Sequence, residues 1–270
     1  MGGLSRSVAE TFQRRPSPYQ GRTVQLPKLT VHTQKMVIVK TILMTGVSGG
    51  IGSAVADVLV ASGHQVVALG RHSDKLERLR GEGGRVIAAD LAQVGTLRAA
   101  VRDIERLDAL IHCAGVSEVA SVADTDPARW QDTLTVNVTA AAELTRLLLP
   151  ALRRSRGHVI FVNASPGMRA VPRWAAFAGS KAALRELADS LRSEEAAHGV
   201  RVTTIYPGAT ATERLRSIRA TFGRPYEASR CIQPGSLAEM IAWVLAAPPD
   251  SYVTELSVLP APRPAATPQG

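Results

Sequence analysis

Three glycines in the stretch from Thr41 to Gly52 have the spacing that phosphate binding requires. Gly46, Gly50 and Gly52 follow an apolar run of strand type and precede a helical pattern. Gly46 permits a tight turn, Gly50 lets the backbone approach a pyrophosphate, and Gly52 lets the helix pack on the strand. The helix N-terminus adds free N–H groups and a partial positive charge. A plain glycine turn is the alternative, but the strand before and the helix after favour a dinucleotide site comprising Gly46, Ser48, Gly49, Gly50, Ile51 and Gly52.

The end of the second predicted strand bears on which dinucleotide binds. In many such folds an acid about twenty residues beyond the glycines binds the 2′-OH of the adenosine ribose. Here the strand ends in Gly70, and Arg71 follows. Without a carboxylate a 2′-phosphate is not repelled, and a guanidinium can pair with it through two hydrogen bonds. The pattern favours NADP(H) over NAD; the alternative is an Arg71 that only solvates the strand end.

Alternating strand and helix patterns must position these residues. Short apolar runs predict seven strands, at 37–45, 65–69, 85–89, 107–113, 158–163, 200–205 and 253–258. Helical patterns lie between them at 50–62, 73–80, 94–104, 127–154, 174–198 and 236–246, with Ser73 as a capping residue. We therefore predict an α/β protein of the Rossmann type, with a doubly wound, seven-stranded parallel sheet and helices on both faces.

The charge distribution, the apolar runs and the cysteines argue against several classes of protein. Of the net charge of +9, +5 lies within residues 1–35, so the rest is mildly basic, and no nucleic-acid-binding motif accompanies it. No apolar run approaches the length of a membrane span. Cys113 and Cys231 form neither a metal site nor a disulfide framework, as in a reducing cytoplasm. We expect a cytoplasmic protein that binds no metal, nucleic acid or membrane.

One domain is expected, over 36–260, between an irregular basic extension at 1–35 and a flexible tail at 261–270. The extension is interpreted as a solvated tail; an organelle transit peptide and an over-extended start assignment are the alternatives.

Motifs in a fixed order over about 40–260 resemble those of the short-chain dehydrogenase/reductase family. They are Thr45-Gly46-x-x-x-Gly50-Ile51-Gly52, Asp90-Leu91, Ala114-Gly115, Asn137, Lys181 and Pro207-Gly208-x-x-x-Thr212. The resemblance implies that Asp90 and Leu91 lie at the adenine of the cofactor. It implies that the remaining cofactor contacts come from Ala114, Gly115, Pro207, Gly208, Thr210 and Thr212, with Lys181 hydrogen-bonded to the nicotinamide ribose.

The resemblance also implies the chemistry. In the family a tyrosine, its pKa lowered by the lysine, protonates the alkoxide formed by hydride transfer, while a serine orients the carbonyl and an asparagine supports a water relay. Asn137 and Lys181 match this pattern. Four residues before Lys181, where the family has its tyrosine, stands Phe177. The catalytic candidates are therefore Asn137, Ser165, Phe177 and Lys181.

Two further departures accompany Phe177. Thirteen residues before it stands Ala164, with Ser165 one place later, so a one-residue deletion in the loop would restore Ser165 to the serine's role. His112-Cys113 replaces the family's usual pair of asparagines, which either weakens backbone anchoring or is neutral.

Phenylalanine keeps the aromatic ring but not the acid, and losing a positioned proton donor typically costs about 10²–10⁴-fold in rate. Three interpretations stay open: an engineered tyrosine knockout, a natural protein that has abandoned or rerouted the proton step, and a proton supplied by another group such as Tyr206. The predicted function is an NADP(H)-dependent oxidoreductase that interconverts a carbonyl and an alcohol, disabled or attenuated by Phe177. The alternative is a non-redox protein of this fold, either a nucleotide-binding pseudoenzyme or a catalyst of a redox-neutral step.

The segment between Thr212 and Gly235, which forms a lid over the substrate in the family, is rich in arginine. An anionic or carrier-bound substrate would explain this, and so would a solvated helical face. Met168, Trp174 and Phe222 line an apolar pocket or only pack. In the family the helices predicted at 127–154 and 174–198 form the subunit interface, so we expect a homodimer or homotetramer.

Overall fold

The computed structural model describes residues 39–71, 73–165, 171–248 and 250–262. The predicted N-terminal extension lies outside the described residues, as does 263–270 of the predicted tail. The chain divides into Met1–Met36 and Val37–Gly270, and every described residue belongs to the second unit.

A single parallel sheet carries the fold, as predicted. Its strands are β1 (Thr41–Thr45), β2 (Gln65–Gly70), β3 (Arg85–Ala88), β4 (Ala109–His112), β5 (His158–Val162), β6 (Arg201–Pro207) and β7 (Glu255–Val258). They lie in the order β3-β2-β1-β4-β5-β6-β7. The strand order reverses between β1 and β4, and in open α/β sheets ligands bind at the carboxyl edge of this point.

Eight α-helices connect the strands within the described residues. They are α1 (Gly50–Ala61), α2 (Asp74–Gly81), α3 (Leu97–Val101), α4 (Pro127–Leu134), α5 (Ala140–Ser155), α6 (Ala175–Glu195), α7 (Glu213–Thr221) and α8 (Pro234–Leu245). Ser73 caps α2 as predicted, and Thr212 caps α7 by accepting a hydrogen bond from the Leu215 N–H.

The predicted helix at 127–154 is interrupted. A π-helical stretch, Thr135–Thr139, separates α4 from α5. Four of its five residues are β-branched and therefore weak helix formers, and the fifth, Asn137, makes hydrogen bonds outside the helix. The first strand also begins later than predicted, at Thr41.

Alternate residues of the strands face two hydrophobic cores. Ile42 and Met44 of β1 belong to the core under α1 and α8, whereas Leu43 belongs to the core under α5 and α6. The period of two explains this, because successive side chains of a strand point to opposite faces. Both cores lie beneath the loops at the carboxyl edge, which they hold in place.

Candidate active site

The glycine loop after β1 leaves no room for side chains. Gly46 has a φ of +77°, and a Cβ there would lie 2.5 Å from the Ala114 nitrogen. A Cβ on Gly52 would lie 2.2 Å from the Gly46 oxygen. The loop is therefore in contact with the end of β4 on one side and with α1 on the other, and only glycine satisfies both contacts.

The first turn of α1 faces this loop. Gly49 precedes the helix and donates its N–H to the Gly46 oxygen over 2.9 Å, and no described side chain caps α1. A Cβ on Gly50 would lie 2.7 Å from Thr212 Cγ2, so the loop after β6 closes over the same spot. Uncapped N–H groups at a helix start, beside a backbone without side chains, suit a pyrophosphate. Ser48 is exposed beside them, and Ile51 is half-buried.

Arg71 and Asp90 lie at one edge of the sheet. Arg71 directly follows β2 and is exposed. The Ala89 N–H donates to the Gly70 oxygen over 3.0 Å, which holds the residues after β3 beside the end of β2. Asp90 Oδ1 accepts a hydrogen bond from the Ala92 N–H, and Leu91 packs on the core under α5. A guanidinium and a carboxylate thus flank the place where the resemblance puts the adenosine.

Thr45, at the end of β1, positions the backbone at the end of β4. Its Oγ1 accepts a hydrogen bond from the Ala114 N–H over 3.3 Å. Sequence reasoning did not single out Thr45 as a functional residue, although a hydroxyl at the end of an otherwise apolar strand is a usable signal. A Cβ on Gly115 would lie 3.3 Å from Asn137 Oδ1 and 3.7 Å from Lys181 Nζ, so backbone and catalytic candidates converge here.

Asn137 is buried and fully engaged. Its Oδ1 accepts from the Val116 N–H over 2.7 Å, and its Nδ2 donates to the Val116 oxygen and to Ser180 Oγ, each over 2.9 Å. Ser180 in turn donates to the Phe177 oxygen over 2.7 Å. The π-helical stretch therefore ties the loop after β4 to α6. Sequence reasoning missed Ser180; its signal is a hydroxyl three residues after Phe177, on the same helix face.

Lys181 lies one turn after Phe177 on α6. Its Nζ donates to the Val162 oxygen over 3.1 Å and lies 5.8 Å from the centre of the Phe177 ring. Burial lowers the pKa of Lys181 to about 8; the neighbouring Cys113 opposes this shift, and the charge of Arg214 adds to it. Burial raises the pKa of the Cys113 thiol to about 11. The centre of the site thus holds a weakly basic amine beside an aromatic ring.

Ser165 lies at the end of the described part of the loop after β5. Its N–H donates to the Pro207 oxygen over 3.2 Å, which links this loop to the one after β6. Ala164 donates its N–H to the side chain of Asn163. Residues 166–170, and Met168 with them, lie outside the described residues.

The loop after β6 is held from several sides. The Gly208 N–H donates to the Val258 oxygen over 2.7 Å, Pro207 is the buried last residue of β6, and Thr210 pairs with Ile232. Together with Thr212 over the glycine loop, these contacts bring the predicted segment from Pro207 to Thr212 to the same carboxyl edge as Lys181.

His112, the last residue of β4, is buried between α5 and β5. Its Nε2 lies 2.9 Å from Thr145 Oγ1, and its ring stacks on Phe161. Because the Thr145 hydroxyl donates to the Ala141 oxygen, His112 is the donor in this pair. Burial lowers its pKa to about 3, so the ring is neutral and β4 has an anchor on α5.

The hydroxyl of Tyr206 is bonded to the first residue of β7. Its hydroxyl donates to Glu255 Oε1 over 3.1 Å, and burial, aided by Glu255, raises its pKa to about 12. A hydroxyl that is occupied by a carboxylate and is this weak an acid is a poor proton donor.

An aromatic cluster lies beside Lys181. The Trp174 ring stacks on Phe177 with 5.0 Å between centroids and meets Phe222 edge-on at 5.9 Å. The indole Nε1 of Trp174 is buried without a hydrogen-bond partner among the described residues. Rings packed in this way form an apolar wall, and such walls are the usual lining of a small-molecule pocket.

Most arginines of the predicted lid segment interact within that segment. Arg216 pairs with Glu213, Arg230 pairs with Glu227, and Arg219 donates to the Pro225 oxygen. Arg224 lies over the Phe222 ring, 5.5 Å from its centre. These contacts favour a role within the segment for these four residues, two of which lie on α7, whereas the charge of Arg214 acts on Lys181.

Neither a membrane-spanning helix nor a metal-binding cluster occurs in the described ranges. None of the helices there is long and apolar enough to cross a membrane, and no three His, Cys, Asp or Glu residues lie close enough together to hold a metal ion.

Known proteins share both sequence and structure with this chain. A short-chain type dehydrogenase/reductase of Sinorhizobium fredii, y4eK, is 31% identical over 81% of this chain and 90% of its own length. The NADP-dependent 3-hydroxy acid dehydrogenase YdfG of Salmonella typhi is 28% identical over 81% of this chain and 94% of its own. Glycine betaine reductase ATRR of Emericella nidulans is 30% identical over 83% of this chain, but the match spans only 19% of that longer protein.

The crystal structure of a short chain dehydrogenase of Escherichia coli CFT073 complexed with NADPH superposes with a TM-score of 0.71. It is 28% identical and covers 81% of this chain and 95% of its own. The model of the short chain dehydrogenase family matches residues 40–222. With its parallel sheet, its glycine loop and this match over most of its length, the chain belongs to the short-chain dehydrogenase family.

Proposed function

We propose that this protein is an NADP(H)-dependent oxidoreductase that interconverts a carbonyl and an alcohol, with a proton step attenuated by Phe177. The observation that carries the proposal is the convergence of Asn137, Gly115 and Lys181 at the carboxyl edge, beside the glycine loop. Asn137 and Ser180 fix α6, and α6 presents the Lys181 ammonium to the space in front of the loop. This arrangement suits a bound ribose and a reacting carbonyl.

The residues at the loop fit a nicotinamide dinucleotide. Gly46, Gly50 and Gly52 provide a backbone surface that a Cβ would obstruct, and the α1 N-terminus offers free donors for the pyrophosphate. Arg71 is available for a 2′-phosphate and Asp90 for the adenine end. When bound, the reduced nicotinamide supplies the hydride. The NADP in the name of one relative and the NADPH in one similar structure support this choice of cofactor.

The substrate side favours an apolar carbonyl compound. The stacked rings of Trp174 and Phe177, with Phe222 edge-on to Trp174, form a wall beside Lys181. Since four lid arginines interact within their own segment, Arg214 is the best candidate there for binding a carboxylate or phosphate of the substrate.

The test is reversion of Phe177. Phe177→Tyr is assayed by NADPH oxidation across a panel of ketones and aldehydes, beside the native chain and the control Phe177→Leu, which has neither ring nor hydroxyl. We expect Phe177→Tyr to be faster by about 10²-fold or more, because it restores a proton donor beside Lys181. Absence of turnover in all three proteins with every carbonyl would refute the proposal.

Phe177 also supports a second candidate, a non-redox protein on this fold. With a ring in place of the acid, the site keeps the groups that hold a nucleotide and loses the usual proton donor. A chain that binds NADPH but gains no activity from Phe177→Tyr is expected on this hypothesis, and a gain of activity contradicts it.

We also propose self-association through the helices α4, α5 and α6. A groove of about 740 Å³ on α4, lined by residues including Trp130 and Leu134, offers apolar surface for this purpose. Light scattering that gives the mass of a dimer or tetramer is expected; a monomer at micromolar concentration would contradict it.

A further inference from the structure

Phe177 leaves the alkoxide formed by carbonyl reduction without its usual proton donor. We propose that the Lys181 ammonium itself donates this proton to the substrate oxygen, so that Lys181 is a catalytic acid and not only a group that positions the cofactor. The proposal rests on the carbonyl reduction proposed above and names the acid of that reaction.

The geometry leaves protons of Lys181 available at the right place. An ammonium carries three N–H donors, and the Val162 oxygen accepts one of them over 3.1 Å. Nζ lies 5.8 Å from the centre of the Phe177 ring, on the helix face where the family has its phenol. A substrate carbonyl that packs against the face of that ring would therefore lie beside the ammonium.

The other protic groups nearby are poorer donors. Tyr206 is bonded to Glu255, and its pKa is raised to about 12. Ser180 gives its proton to the Phe177 oxygen, and the pKa of Cys113 is raised to about 11. Ser165 is an aliphatic alcohol like the product, so a proton taken from it would only exchange one alkoxide for another.

The surroundings of Lys181 make its ammonium acidic enough for the task. The charges that shift its pKa are those of Cys113, which follows β4, and of Arg214, on α7; His112 of β4 also interacts with Lys181 and is neutral. Burial and the charge of Arg214 lower its pKa to about 8, so the ammonium is present at neutral pH and gives up a proton more readily than an exposed lysine.

Atoms and charges balance in this proton transfer. As the carbonyl carbon gains a hydride, the π electrons of the C=O bond move to oxygen. One N–H bond of Lys181 breaks, an O–H bond forms, and the product is the alcohol. Lys181 is left as a neutral amine, which takes a proton from solvent before the next turnover.

The first test compares Lys181→Arg in two backgrounds. Arginine keeps the positive charge that holds a ribose but does not release a proton near neutral pH. In the native background we expect the rate of NADPH oxidation to fall by at least about 10²-fold, with NADPH affinity by fluorescence titration little changed. In the Phe177→Tyr background, where the phenol donates, the loss should be less than about tenfold.

The pH profile and a direct titration provide the second test. Because the acid form is required, the native rate of ketone reduction should decline tenfold per pH unit above about pH 8. Independently of turnover, competitive acetylation of the free protein, with exposed Lys75 as internal reference, should give Lys181 a midpoint near pH 8. A midpoint at pH 10 or above would overturn the inference.

The outcomes separate the two proposals. If NADPH is oxidised but Lys181→Arg lowers the rate by the same factor in both backgrounds, Lys181 only positions the cofactor. The inference about the proton donor then fails, while the proposed function stands. If borohydride traps the carbonyl compound on Lys181, the amine is a nucleophile and the inference also fails. If neither the native chain nor Phe177→Tyr turns over any carbonyl, the proposed function fails and the inference falls with it.

Discussion

Comparing Gly46→Ala with Gly63→Ala tests why position 46 needs a glycine. Either there is no room for a side chain, or only the backbone conformation requires it. The two glycines have nearly the same left-handed φ, +77° and +80°. A Cβ on Gly63 meets nothing within 4 Å, whereas a Cβ on Gly46 meets the Ala114 nitrogen at 2.5 Å and the Cys113 carbonyl carbon at 2.6 Å. The pair therefore differs in packing at constant conformational strain.

The expected magnitudes follow from these contacts. Left-handed strain costs about 1–2 kcal/mol for alanine, and alanine also restricts the unfolded chain; both effects are common to the two variants and cancel in their difference. To relieve the clash, the Ala114 backbone would have to retreat from 2.5 Å to at least 3.0 Å, below which such contacts essentially never occur. Overpacking of this kind costs about 1–3 kcal/mol. Gly46→Ala should therefore be the less stable variant by that amount.

Urea unfolding followed by circular dichroism measures the difference, provided that the m-values agree. NADPH titration supplies a second readout: Gly63→Ala should bind like the native chain, and Gly46→Ala should bind much more weakly. Equal stability of the two variants, within about 0.5 kcal/mol, would refute the inference that close approach of β1 and β4 demands a glycine at this position.

Three further predictions concern charge. Because burial holds the pKa of His112 and of His158 at about 3, against an ordinary 6.5, only the unfolded chain gains these protons as pH falls below 6.5. The unfolding free energy should therefore drop by up to about 1.4 kcal/mol per pH unit for each of these two histidines. His158→Gln should make the slope measured in urea shallower by up to that amount, and an unchanged slope would contradict the prediction. Arg153 lowers the pKa of Glu195, so Glu195→Gln should lower the midpoint of urea unfolding at pH 7. The difference from the native chain should shrink as pH falls below 4.5, because Glu195 is then protonated in the unfolded chain. A difference that does not change with pH would exclude the ion pair as the source of the destabilisation. Arg71→Glu should weaken the binding of NADPH relative to that of NADH by about tenfold or more in fluorescence titrations. If the native chain binds NADH more tightly than NADPH, the role assigned to Arg71 is wrong.

Local patterns determined much of the fold before any contact was known. Apolar runs and helical spacing predict the seven strands and most of the helices, since the inner strands of a parallel sheet are buried on both faces and read as continuous apolar stretches. The capping of α2 by Ser73 was also readable, because a cap depends on residues three positions apart. The π-helical stretch at Asn137 was not predicted; Asn137 is bonded there to Val116, twenty-one residues away along the chain, and no local pattern shows that contact.

The features of the candidate site fall into the same two groups: those that follow from neighbouring residues in the chain, and those that depend on distant ones. Three relations could be read from the sequence because they are local: glycines follow β1, Lys181 follows Phe177 by one helical turn, and an arginine follows β2. Other relations join residues that are far apart in the chain and are visible only in the folded protein: Thr212 closes on Gly50, Ser180 is bonded to Asn137, and Tyr206 is bonded to Glu255. In the folded protein, burial also lowers the pKa of the Lys181 amine to about 8. Such properties depend on which distant segments exclude water from a group, and no spacing along the chain specifies that.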